Sequence, residues 1–209
     1  MSVEDIFQSI MQLKRGEVAD LVQAEIDAKT DVSLILEEGL INAMGEVGNE
    51  FSAGRLFVPE MLRAAETMKI GLEVLRPLLV EADITPRGTV IVGTVKGDLH
   101  DIGKNLVGMM LQGAGFTVVD LGVDVEAQAF VDAAAENQAQ LVAMSALLTT
   151  TMPVMAQCIG EFKDAGLGAR LIVGGAPVNQ DFAIKINADG YSSDAPGAVE
   201  LAKKLVPQQ

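Results

Sequence analysis

The chain has 209 residues, 49% of them hydrophobic, which suffices for one large domain or two small ones with a sizeable core. Its formal net charge of -14 argues against a surface that tracks nucleic-acid phosphates or anionic lipid, because both need clustered Lys and Arg. Cys158 is the single cysteine, which leaves neither a disulfide framework nor a CxxC metal or redox pair and reads as an ordinary buried thiol.

Met1-Ser2-Val3-Glu4-Asp5 is not a basic segment leading into an apolar one, and no run of about 18 apolar residues occurs. A cytoplasmic protein with no membrane and no nucleic acid among its partners is expected. Up to about residue 85 apolar residues recur at helical spacing in four stripes: Ile6, Ile10, Leu13; Val18, Leu21, Val22, Ile26; Leu36, Leu40, Ile41, Met44, Val47, Phe51; and Met61, Leu62, Ala65, Met68, Leu72, Leu75, Leu79. Four helices follow, with Asp31 placed to cap the third, Pro59 suited to a first helical turn and Pro77 expected to bend or end the last. The polar run Glu81-Ala82-Asp83-Ile84-Thr85-Pro86-Arg87-Gly88 precedes a change of periodicity and marks the expected boundary between domains 1–86 and 87–209, with a hinge near 80–88.

Beyond it, short apolar runs alternate with helical stretches. Buried strands are expected over Thr89–Val95, Phe116–Leu121, Leu141–Ala146 and Leu171–Val173, with a weaker fifth near Asp189–Ser192. Helices are expected at about 101–114, 126–137, 152–165 and 195–206, and a short piece near 180–187. This alternation predicts a doubly wound, flavodoxin-like parallel sheet of five strands, following an N-terminal four-helix bundle. With strand order 2-1-3-4-5, a ligand belongs outside the carboxyl ends of strands one and three.

The residues able to do chemistry fall on that edge. Asp98 and the single histidine, His100, follow strand one; Ser145-Ala146-Leu147 closes strand three; Gly174-Gly175 closes strand four. A neutral imidazole can ligate a transition metal, and an acceptor on its other nitrogen, here Asp98, sets the tautomer. Gly108, Gly113, Gly115, Gly174 and Gly175 leave room for a long ligand to approach backbone, and Ser145, Thr149 and Thr151 can hydrogen-bond its polar edges. Taken singly, each feature has a plainer reading: a lone histidine on a βα loop is more often a surface or capping residue, Gly-Gly after a strand is often a tight turn, and Asp98 and Asp101 suit a helix amino end.

The spacing Asp98-x-His100-x-x-Gly103, then Ser145-x-Leu147, then Gly174-Gly175 resembles the cobalamin-binding signature of base-off, histidine-on corrinoid proteins. The run Val95-Lys96-Gly97-Asp98-Leu99-His100-Asp101-Ile102-Gly103-Lys104-Asn105 is similar to the loop of methionine synthase and of the small corrinoid proteins of methyltransferase systems. Met44-Gly45-Glu46-Val47-Gly48-Asn49-Glu50-Phe51 and Phe57-Val58-Pro59-Glu60-Met61 resemble that family's helical cap.

The resemblance implies cobalamin, as methylcobalamin or a related corrinoid, with its own base displaced from cobalt. His100 becomes the lower ligand and metal-binding residue, with Asp98 and Thr151 as its relay. Gly97, Leu99, Asp101, Ile102 and Gly103 share the loop against the cofactor; Ser145, Leu147, Thr149, Gly174 and Gly175 line the slot for its nucleotide tail, with Ala195 near the far end. On the other face, Phe51 and Val58 shield the methyl group and Glu37 makes a polar contact, although the four-helix pattern also reads simply as core. The implied activity is that of a methyl carrier in one-carbon metabolism. A substrate-specific methyltransferase methylates its cobalt(I), a second passes the methyl to tetrahydrofolate or coenzyme M, and a reductive activase is a further partner. His100 is released when the methyl leaves, so its Asp98 pair handles a proton. The alternative is a cobalamin-dependent sensor or regulatory module, which needs a DNA-binding segment.

Overall fold

Apolar side chains at three- and four-residue steps fold the first part of the chain into helices. The computed structural model describes residues 2–82 and 86–207, so Met1, the end of the chain, and Asp83, Ile84 and Thr85 of the expected hinge lie outside the described residues. Helices α1 (Val3–Met11) and α2 (Val18–Asp27) are followed by a rod made of α3 (Val32–Leu34), a π-helical stretch (Ile35–Ile41) and α4 (Asn42–Ser52), and then by α5 (Val58–Glu81). Asp31 caps the rod by accepting from the backbone N–H groups of Ser33 and Leu34. Ser2 and Asp5 form a reciprocal box at the start of α1.

The π-helical stretch alters the expected stripe. Its wider turn buries Ile35 and Gly39 in place of Leu36, after which Leu40, Met44 and Val47 follow as the spacing requires. Pro77, expected to bend or end the last helix, lies inside α5 and does not end it. Proline removes one N–H donor from the ladder, while the buried face carrying Met61, Met68 and Leu75 continues along the helix. Ile6, Ile10, Val18, Val22 and Leu40 complete this apolar interior.

In the second part, β1 (Thr89–Thr94), β2 (Thr117–Asp120), β3 (Leu141–Ser145), β4 (Arg170–Gly174) and β5 (Gly190–Ser192) alternate with α6 (Ile102–Gly113), α7 (Ala127–Glu136), α8 (Met152–Ala165), α9 (Gln180–Lys185) and α10 (Ala195–Leu205). All strands are parallel, in the order β2-β1-β3-β4-β5. Strands β1 and β3 are almost wholly buried, but β2 is not: as an edge strand it buries neither of its end residues, Thr117 and Asp120. Gly93 admits the Phe130 ring against β1, since a Cβ there would stand 2.7 Å from it. Cys158 lies fully buried in this core with Met155, Phe130 and Phe162, its Sγ 3.9 Å from the carbonyl oxygen of Ala127.

The chain divides into two compact units, residues 1–86 with 112–115, and residues 87–111 with 116–209. Among the described residues no helix is long and apolar enough to cross a membrane.

Candidate functional site

Parallel register sets one row of residues along the carboxyl edge of the sheet: Thr94 pairs with Ser145, Ser145 with Gly174, and Gly174 with Ser192. The chain leaves β1 just beyond this row and turns through Gly97, at φ +83, with the Asp98 N–H donating to the Val95 carbonyl at 3.1 Å. The histidine loop, residues 95–101, is then held by groups from three directions.

The Asp98 carboxylate, completely buried, accepts five hydrogen bonds. Its Oδ1 takes the His100 N–H at 3.1 Å and the ring Nδ1 at 2.7 Å. Its Oδ2 takes the N–H groups of Leu147 at 2.7 Å and Leu148 at 3.1 Å, and the Thr151 hydroxyl at 2.9 Å. One carboxylate thereby ties the β1–α6 loop to the β3–α8 loop. Burial opposes its charge, but the bonds from His100, Leu147 and Thr151 outweigh that and hold the carboxyl well below the usual carboxylate range. An ionised carboxylate only accepts, so the His100 proton sits on Nδ1 and, in the neutral ring, Nε2 keeps its lone pair. Thr151 has one proton and two acceptors within reach, Asp98 Oδ2 and the Leu148 carbonyl at 2.8 Å.

From the other side, the β2–α7 loop reaches the same segment. The Asp124 N–H donates to the Asp98 carbonyl at 3.0 Å, and Asp124 Oδ1 accepts from the Gly97 N–H at 2.8 Å. The Thr94 hydroxyl donates to the His100 carbonyl at 2.9 Å. Lys104, also buried, reaches Asp120 Oδ1 at 2.6 Å and Asn105 Oδ1 at 2.6 Å, and Asn105 in turn donates to Asp101. Thr94, Asp124 and Leu148 carry no motif and are not among the expected positions; a polar residue near the end of an apolar strand is the one signal the sequence offers for Thr94.

The imidazole faces outward. Among the described residues no hydrogen bond reaches His100 Nε2, while Leu99 and Ile102 on its loop are 71% and 74% exposed and Leu147 and Leu148 on the tied loop are 43% and 41% exposed. No group of three His, Cys, Asp or Glu that could hold a metal ion occurs among the described residues. One free imidazole nitrogen set among exposed apolar side chains fits a metal that arrives with its other ligands in a flat, largely apolar macrocycle.

The remaining expected positions divide between the units. Leu147 and Thr149 are exposed on the β3–α8 loop, Ser145 and Gly174 are half-buried in the register row, and Ala195 is buried as the first residue of α10. Gly175 is required by backbone packing: at φ +123, a Cβ would stand 1.9 Å from the Ala146 carbonyl oxygen. Gly103 has open space where a side chain would project, and Gly108 has ordinary contact distance to Val118. In the helical unit Glu37 is exposed on the π-helical stretch with no side-chain hydrogen bond among the described residues, whereas the Glu38 carboxylate accepts from Asn42 at 2.8 Å. Phe51 and Val58 are half-buried at the end of α4 and the start of α5, and Phe57, not among the expected positions, is 66% exposed beside them.

Sheet order and rim define a doubly wound α/β protein, preceded by a helical unit, that presents a single oriented imidazole at its topological switch point. Residues 88–200 match the B12 binding domain family, and residues 2–76 match a second family of the same description. The chain is 40% identical over 213 residues to dimethylamine corrinoid protein 1 of Methanosarcina acetivorans, covering 99% of this chain and 100% of that one. It is 43% identical over 199 residues to trimethylamine corrinoid protein 2 of Methanosarcina mazei, covering 93% and 91%. The methanol:cobalamin methyltransferase complex MtaBC of Methanosarcina barkeri contains a chain that superposes with a TM-score of 0.87 at 30% identity, covering 99% of this chain and 80% of that one. The chain belongs to the B12-binding corrinoid proteins.

Proposed function

We propose that the protein is the methyl carrier of a multi-component methyltransferase system, with residues 1–86 as a cap and residues 87–209 holding cobalamin base-off and histidine-on. Bound cobalamin would supply a cobalt centre on which a methyl group rests between two transfers. The observation that carries this reading is the Asp98–His100 pair, in which a buried carboxylate fixes the Nδ1–H tautomer and leaves Nε2 facing out of an apolar rim.

In this reading His100 Nε2 would hold the cobalt. Asp98 holds the Nδ1 proton, and Thr151 steadies that carboxylate when the charge on the ring changes. Gly97, Leu99, Asp101, Ile102 and Gly103 form the loop under the macrocycle; Ser145, Leu147, Thr149, Gly174, Gly175 and Ala195 border the tail. Phe51, Val58 and Glu37 belong to the cap. The partners are a substrate-specific methyltransferase, a second methyltransferase acting on tetrahydrofolate or coenzyme M, and a reductive activase, all cytoplasmic. The corrinoid proteins of dimethylamine and trimethylamine systems among the relatives support methylamines as the first donors to try.

The test has two parts. In protein labelled with nitrogen-15 and loaded with unlabelled cobalamin, the electron paramagnetic resonance spectrum of the one-electron-reduced cobalt should show two-line nitrogen splitting from His100. Three-line splitting from the cofactor's own base would overturn the histidine-on arrangement. For the carrier role, the fully reduced protein is mixed with methylamine:corrinoid methyltransferases and their donors, and loss of the cobalt(I) absorption is expected; no loss with any methylamine or methanol system would count against it.

A further inference from the structure

We propose that Asp124 is a positioning residue for His100, setting how far the imidazole loop stands out from the sheet, a role that rests on His100 being the cobalt ligand. Residues 96–98 are the rising limb of the histidine loop, and Asp124 holds that limb at two successive residues, Gly97 and Asp98. Its Oδ1 accepts from the Gly97 N–H at 2.8 Å, and its own N–H donates to the Asp98 carbonyl at 3.0 Å. The residue on the limb that receives the second bond is the one whose side chain orients His100, so a shift of Asp124 moves Asp98 with it.

Two further features make this a held geometry. Asp124 adopts φ +58, a left-handed conformation that few residues other than Gly, Asn and Asp take readily. Its partner Gly97 is also at positive φ, +83, so the two loops meet through a pair of unusual backbone turns. The neighbouring residue Val125 pairs with Val95 as an isolated parallel bridge, with its N–H on the Thr94 carbonyl at 3.0 Å. At the far end of the same loop, Asp120 is secured by the buried Lys104 ammonium and by the Gly122 N–H at 2.8 Å. The β2–α7 loop is therefore anchored at both ends and meets the histidine limb in its middle. Lys96 also reaches Asp124 Oδ2 at 3.3 Å and Glu126 at 3.2 Å, but this is an exposed pair and carries little of the restraint.

The acceptor geometry, not the charge, is what the role requires. Asp124→Gly deletes the acceptor and Asp124→Asn keeps it, and both residues tolerate the left-handed backbone; Lys96→Met removes only the ion pair. Each full-length variant is titrated with hydroxocobalamin, its visible spectrum and the nitrogen splitting of the reduced cobalt are recorded, and its circular dichroism is compared with the parent. Asp124→Gly is expected to retain the parent circular dichroism, to raise the dissociation constant about tenfold or more, and to lose part of the two-line protein splitting. Asp124→Asn should restore both to within about threefold, and Lys96→Met should match the parent. Parent-like affinity and splitting in Asp124→Gly overturns the proposal, as does an Asp124→Asn protein as defective as Asp124→Gly. Should Asp124→Gly lose its fold, parent-like splitting in Asp124→Asn still supports the acceptor role, and lost splitting there still overturns it. Failure of the parent to bind hydroxocobalamin or to show two-line splitting would instead strike the cobalamin-carrier reading itself.

Discussion

The Asp98 carboxylate has no exposed surface, yet it accepts at 2.7 Å from Nδ1 of His100, whose side chain is 52% exposed. A buried charge thus orients a surface ring. Truncation should consequently cost far more stability at Asp98 than at His100.

Asp98→Ala leaves the Leu147 and Leu148 N–H groups and the Thr151 hydroxyl without their common acceptor, and should destabilise the protein by about 3–5 kcal/mol in urea unfolding. His100→Ala removes a half-exposed ring and should cost about 1 kcal/mol or less while abolishing two-line splitting. Because the folded-state pKa of Asp98 is depressed, its contribution is complete above about pH 4 and is lost as pH falls toward the folded value. Asp98→Asn should flatten that acid-side loss.

Thr151 supplies one of the bonds that hold Asp98 ionised. Thr151→Val should cost about 1–2 kcal/mol and move the acid-side loss of stability to higher pH. Thr151→Ser keeps the hydroxyl, and should stay within about 1 kcal/mol of the parent with an unmoved acid limb. Urea midpoints measured across the acid range decide between them.

Two glycines at positive φ should tolerate a methyl group very differently. Gly175→Ala drives a Cβ to 1.9 Å from the Ala146 carbonyl oxygen, and should cost about 3 kcal/mol or more or prevent folding. Gly122→Ala, at φ +79 with open space around the new atom, should cost about 1 kcal/mol from the backbone alone. Thermal unfolding of the two variants measures the contrast.

Burial pushes the Cys158 thiol up to about 12, with the nearby Glu161 charge adding to the shift. A disulfide reagent should therefore fail to label the native protein near neutral pH and label one thiol on unfolding. The folded pKa is raised, so this group's stabilisation is complete below the ordinary thiol value of about 9 and is lost as pH rises toward about 12. Cys158→Ser should lack that alkaline loss.

Much of the fold was legible because its signals are local. Alternating apolar runs and helical stripes announced five strands and the helices between them, and Asp31 announced its cap. The departures arose where packing overrides pattern. The π-helical turn at Ile35–Ile41 moved burial from Leu36 to Ile35, and β2 lay open at the sheet edge.

Asp98 and His100 were singled out by spacing and Thr151 by the family resemblance, and those residues meet at one carboxylate. Asp124 was not, because its role depends on the β2–α7 loop lying beside Gly97, a neighbourhood created by the parallel pairing of β1 with β2.

By itself, then, the amino-acid order determined the element types, the crossover connectivity and the motif that joins this chain to the B12-binding corrinoid proteins, because periodicity and spacing are properties of a line. Tertiary structure decided which proton the imidazole carries, which glycine a carbonyl crowds and which loop braces the histidine. Each depends on atoms remote in sequence approaching to hydrogen-bond or contact distance, and only the folded sheet brings them there.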